Sequence, residues 1–247
     1  MTGFAISALL AIGTDDWRQL WMACGGLAIL IAVPVAILIP SQEFRSQSTP
    51  QHAAPRKSWA ALAAILAHGL FGFGYVVTAT FLVELVRLSG EPRSLEPWFW
   101  AVVGFAAIPS VTLWVRLSQR LGALPTYAVA CTLEAIGVAA SVEWTTMPGL
   151  FLSAALLGGT FMGITTLGFI AMQNFAGSQA QRMMGLLTSS FAVGQIIGPI
   201  FAGHLFELAG SFRSPSLTAS AALLCAAALT LGAGFKIALP NPRSSQS

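Results

Sequence analysis

Residues 59–87 read WAALAAILAHGLFGFGYVVTATFLVELVR. From Trp59 to Val83 the stretch holds no Asp, Glu, Lys or Arg. A helix rises ~1.5 Å per residue, so this run covers the ~30 Å hydrocarbon core of a bilayer. Backbone polar groups inside lipid must be satisfied internally, which leaves helices and closed barrels as spanning structures. Barrel strands alternate apolar and polar side chains over about ten residues. The apolar run here is continuous and longer, so a transmembrane helix is predicted and a barrel is rejected.

Working outward, comparable runs bounded by charge, Pro or Gly lie at residues 17–39, 97–117, 123–143, 148–173, 183–208 and 215–237. A shorter run, 2–13, reaches only about 20 Å as a helix. The composition agrees: 55% of residues are hydrophobic and 9% charged, where soluble domains carry about 25% charge. The expected fold is an all-α integral membrane bundle of about eight transmembrane helices. Residues 41–58 carry Glu43, Arg45, Pro50, Pro55, Arg56 and Lys57 among Ser and Gln. That composition resists packing and predicts a linker. The other connections are short and make consecutive helices antiparallel neighbours.

Several classes are excluded. The net charge of +3 includes no Lys/Arg cluster dense enough for nucleic acid. Met1 to Gly13 lacks the basic n-region of a signal peptide. Cys24, Cys131 and Cys225 sit inside apolar runs without metal-ligand or disulfide spacing; they read as small core residues, and neither a metal nor a cofactor is expected. His-Glu-x-x-His and Gly-x-Ser-x-Gly motifs are absent, so a membrane-embedded enzyme is the weaker reading.

Cytoplasmic loops are enriched in Lys and Arg. Arg45, Arg56, Lys57, Arg116, Arg120, Arg182, Lys236 and Arg243 fall on one side of the expected topology. Arg18, Arg87, Arg93 and Arg213 fall on the other, beside Asp15, Asp16, Glu91, Glu96, Glu143 and Glu207. The linker and the C-terminal tail, 239–247, are therefore expected in the cytoplasm.

Within 183–208, Gly194, Gly198 and Ala202 recur every fourth residue, with Pro199 and Gly203 beside them. Small residues on one helical face let another backbone approach closely, and Pro199 removes one helical hydrogen bond. The pattern fits static packing or a hinge at a moving interface. Gly194 to Gly203 also resembles the glycine-proline motif carried by major facilitator superfamily transporters in their fifth and eleventh helices. Ser118-Gln119-Arg120-Leu121-Gly122 resembles a degenerate copy of the superfamily's loop motif, with Gln119 where aspartate is usual. His68 to Tyr75, Thr78 to Leu82, and Leu157 to Thr165 extend the resemblance to the uncharacterised YbfB/YjiJ-type branch over nearly the whole chain.

The resemblance implies twelve helices in two six-helix halves joined by a cytoplasmic linker. In that register residues 1–40 are the last two helices of an N-terminal half, 41–58 is the central linker, and 59–238 is a complete C-terminal half. The chain would then start inside a helix, with four helices missing before it. The implied activity is secondary active transport of a small solute by alternating access in the inner membrane; an inactive truncated fragment is the alternative.

The resemblance also implies that residues 59–87 and 148–173 line a central cavity. At about 100° per residue, His68, Phe71, Gly72, Tyr75 and Thr78 share one face of the first. Met162, Thr165, Thr166, Phe169 and Gln173 share a face of the second, with Gly159. Gln195 joins them from 183–208. Both stripes mix aromatic and hydroxyl groups, which suits a small or moderately apolar solute. Ionisable groups inside a bilayer count as functional hypotheses by default. Glu134, in the middle of 123–143, and His68, whose imidazole titrates near neutral pH, are the candidates for proton coupling. The expected partners are the solute, the proton and the lipid bilayer.

Overall fold

A computed structural model describes residues 17–38, 58–88, 92–176 and 179–238. Its elements are α1 (Trp17–Leu38), α2 (Ser58–Leu88), a 3-10 turn (Arg93–Leu95), α3 (Glu96–Leu121), α4 (Ala123–Glu143), α5 (Met147–Ala176), α6 (Ala180–Ala209) and α7 (Arg213–Ala238). Helices α2 to α7 are the six among the described residues that are long and apolar enough to cross a membrane. The run at 17–39 forms helix α1, Trp17–Leu38, with Pro34 inside it. The run at 2–13, the linker apart from Ser58, and the tail lie outside the described residues.

The helices end where the sequence supplies a stop. Gly122 separates α3 from α4 at φ 88°, its N–H bonded to the Ser118 carbonyl. Gly210 closes α6 at φ 64°, its N–H bonded to the Phe206 carbonyl. A side chain is disfavoured at positive φ, so glycine fits both ends. Pro109 and Pro199 sit inside α3 and α6, which membrane helices tolerate because neighbours re-satisfy the freed backbone groups.

Helix α2 is the spine of the bundle. It packs against α6, α7 and α5, while α3 packs on α5 and α4 packs on α7 and α5. Packing in lipid gains little from the hydrophobic effect and relies on close van der Waals contact, which favours small residues. The core accordingly mixes alanines (Ala67, Ala130, Ala135, Ala219, Ala226) with Phe71, Tyr127, Ile164, Leu167 and Leu223. Large apolar side chains such as Leu62, Ile108, Leu113, Ile136 and Ile200 point outward, as a lipid-facing surface requires.

Charges gather at the ends. Arg87 bonds Glu96 at 2.8 Å and lies 3.7 Å from Glu84. Arg213 bonds Glu143 at 2.8 Å. These pairs tie the same end of the bundle, where α2 and α4 finish and α3 and α7 begin. Arg116, Arg120 and Arg182 occupy the opposite helix ends.

Candidate functional site

The α2–α6 crossing organises the site. Gly194 and Gly198 are buried on α6. A Cβ at Gly194 would press on the Gly69 carbonyl and lie 2.7 Å from the Phe73 nitrogen; at Gly198 it would lie 2.6 Å from Val76 Cγ1. On the facing helix, a Cβ at Gly72 would press on the Phe191 carbonyl. The Ser190 hydroxyl donates to the Ile65 carbonyl across the same contact at 2.8 Å. Ala202 is buried and continues the small face, Pro199 is half-buried, and Gly203 opens onto free space.

Because the backbones meet so closely, the aromatic side chains beside the crossing converge. Tyr75 stacks on Phe161 of α5 with ring centroids 4.3 Å apart. Phe191 of α6 lies 5.3 Å from His68, 5.4 Å from Phe71 and 6.0 Å from Tyr75. Three helices thus contribute to one aromatic cluster. Phe71 and His68 are sealed inside it, and Tyr75, Phe161 and Phe191 are half-buried at its margin.

The other expected residues divide by depth. Thr78 is buried beside α2's inner face, and its hydroxyl has no hydrogen-bond partner among the described residues. Met162, Thr165, Thr166 and Phe169 are half-buried on α5, Gln173 is exposed, and Gln195 is half-buried on α6. Thr165 and Thr166 donate to the Phe161 and Met162 carbonyls of their own helix, at 3.1 and 2.8 Å. Trp114 of α3 donates its indole N–H to the Gly159 carbonyl at 2.7 Å, fixing α3 against α5.

Both ionisable candidates point into the bundle. His68 is 2% exposed, and its Nδ1 lies 2.9 Å from the Tyr127 hydroxyl of α4. Its ring fits beside Gly168 of α5, where a Cβ would come within 3.2 Å of the imidazole. Glu134 is fully buried, and the Thr160 hydroxyl donates to its Oε2 at 3.2 Å. Tyr127, Cys131, Thr160, Phe161 and Phe191 also belong to this interior, although the sequence alone does not single them out. The signal for the first two is spacing: Tyr127, Cys131 and Glu134 follow at i, i+4 and i+7 on one face of α4. No group of three or more metal-ligating side chains occurs among the described residues.

Six apolar spans among the described residues, sealed by small residues and holding a polar and aromatic interior, make this a polytopic helical membrane protein. The sequence profile described as "Uncharacterised MFS-type transporter YbfB" matches residues 1–231, and the chain belongs to that family within the major facilitator superfamily. It is similar to "Uncharacterized transporter YycB" of Bacillus subtilis (strain 168), 25% identical over 94% of this chain and 61% of the relative. It is also similar to "Uncharacterized 38 kDa protein in 23S RNA operon" of Thermoproteus tenax, 27% identical over 97% of this chain and 61% of the relative. The chain therefore spans 61% of the length of both relatives.

Proposed function

We propose that this chain is the solute-handling and coupling portion of a secondary active transporter in the inner membrane. It moves a small, moderately apolar solute by alternating access and couples that movement to protons. The observation that carries the reading is the half-buried aromatic margin of Tyr75, Phe161 and Phe191 beside the glycine-lined α2–α6 crossing. Aromatic faces with nearby Thr165, Thr166, Met162, Phe169 and Gln195 offer dispersion contacts and a few polar anchors, the usual mixture of a small-molecule site. Phe71, Thr78 and Gln173 extend that surface along α2 and α5. Residues 1–40, 41–58 and 59–238 act as the end of one half, the linker and the other half. The exposed face of α6, with Val193, Ile196 and Ile200, is where the halves move past each other. On the opposite, buried face of α6, Gly194 and Gly198 pack on α2, and with Pro199, Ala202 and Gly203 they supply the packing and hinge segment that lets α6 bend. His68 and Glu134 take up the proton. The linker and tail face the cytoplasm.

The test is solute flux into proteoliposomes of the full chain, with and without an imposed proton gradient, over a panel of small apolar and amphipathic solutes. Gradient-dependent flux that falls in His68→Ala and persists in His204→Ala is expected; His204 is an exposed residue. Flux lost in His204→Ala and kept in His68→Ala would overturn the assignment.

A further inference from the structure

Among the described residues, the buried titratable side chains are His68, Tyr127, Cys131 and Glu134, the last three on α4. His68 Nδ1 and the Tyr127 hydroxyl are hydrogen-bonded at 2.9 Å. Cys131 and Glu134 follow Tyr127 at i+4 and i+7, so the three buried side chains succeed one another along one face of α4. Glu134 Oε2 accepts from Thr160, while Oε1 has no hydrogen-bond partner among the described residues. Burying such groups without a counter-charge is costly. Structural packing alone gives no reason to collect them on one inner face.

We infer that His68, Tyr127, Cys131 and Glu134 form one proton site shared by α2 and α4, holding a single exchangeable proton. The inference rests on the proton-coupled reading above and deepens it: two separate candidates become one site, with Tyr127 as the bridge. The step balances. A proton enters on His68 Nε2, and His68 releases its Nδ1 proton to the Tyr127 oxygen. Tyr127 passes its own hydroxyl proton to the Cys131 sulfur. Cys131 gives up its S–H proton to the Glu134 carboxylate, which becomes a carboxylic acid. One proton has moved, and the three intermediates return neutral.

The groups facing Glu134 are few. Helix α2 presents Tyr75 and α5 presents Thr160, while His68 connects through its hydrogen bond to Tyr127. From α7, Ser220 donates to the Ala135 carbonyl at 2.9 Å. The buried residues of α3 and α7 include no titratable side chain.

Infrared difference spectroscopy of the reconstituted full chain tests the inference without any solute. The carboxylic-acid C=O band that disappears in Glu134→Gln is followed as pH is varied. Groups that form one site titrate together, with interactions above about one pH unit. Tyr127→Phe and His68→Ala are each expected to displace the Glu134 profile by about one pH unit or more. Cys131→Ala, a smaller excision, serves if Tyr127→Phe does not fold. Profiles that overlay the wild type, or a band that does not change with pH, would overturn the inference. Gradient-driven flux with overlaid profiles would leave the transport reading standing and remove only the shared site. Displaced profiles without flux would do the reverse.

Discussion

Replacing Gly194 with Ala adds a single methyl group, and the structure says where it goes. The new Cβ would lie 2.7 Å from the Phe73 nitrogen and 3.1 Å from the Gly69 carbonyl carbon, with the Gly69 oxygen closer still. All three are backbone atoms, so no side chain can rotate away. Non-bonded carbon contacts settle at about 3.5–4.0 Å, so α6 must retreat from α2 by about 1 Å. Overpacking of this kind costs about 1–3 kcal/mol. Alanine also favours a helix over glycine by about 1 kcal/mol, which blurs the effect of one variant measured alone. Gly203 supplies the control, because it lies on the same helix with nothing within 4 Å of its Cβ position. Gly203→Ala should collect the helix gain without the clash. Gly194→Ala is therefore expected to be less stable than Gly203→Ala by about 1–3 kcal/mol. For a chain of this size that corresponds to several degrees in melting temperature, at about 2–4 °C per kcal/mol. The assay is thermal unfolding of the two variants in one detergent, followed by circular dichroism. Equal melting temperatures would refute the close α2–α6 crossing.

Two further outcomes follow, one from a contact and one from the expected topology. Trp114→Phe removes the indole donor to the Gly159 carbonyl and thins the packing against Gly163; it should cost about 1–3 kcal/mol in the same melt, and an unchanged melting temperature would show that this bond does not hold α3 to α5. Gln119→Cys and Ser211→Cys, in a background with Cys24 and Cys225 replaced by Ser, should label from opposite sides of sealed vesicles, with Gln119→Cys on the cytoplasmic side; labelling from one side would sink the topology.

The spans were legible because they depend on one quantity, the length of uncharged apolar sequence, that local composition fully determines. The small-residue face of 183–208 was legible as a face, though not its extent. Gly194 and Gly198 meet α2 and Gly203 does not, a difference that depends on where two helices cross. His68 and Glu134 were legible because ionisable residues stand out in apolar sequence. Tyr127 and Cys131 were not, since each reads as an ordinary core residue until its neighbour is known. Their partners lie far along the chain, with His68 and Tyr127 separated by 59 residues, and no local pattern reports such a pairing.

One residue joins the mechanical and the chemical features. The Phe191 carbonyl rests against Gly72 at the helix crossing, while the Phe191 ring lies against His68, Phe71 and Tyr75. Backbone and ring belong to the same rigid turn of α6. A slide or tilt of α6 on α2 therefore cannot leave the aromatic cluster undisturbed. A displacement of about 1 Å is comparable to the gap that forfeits a quarter to a half of a dispersion contact. It would loosen the cover over His68 and the stack beside Tyr75 in one movement. The reverse also holds, because any interaction free energy that depends on the position of α6 acts in both directions. In the transport reading proposed above, a solute seated against Phe161 and Tyr75 would favour one position of α6, and that position would set how tightly His68 is enclosed. Glycine at the crossing and aromatic rings at the margin are thus two parts of one coupling.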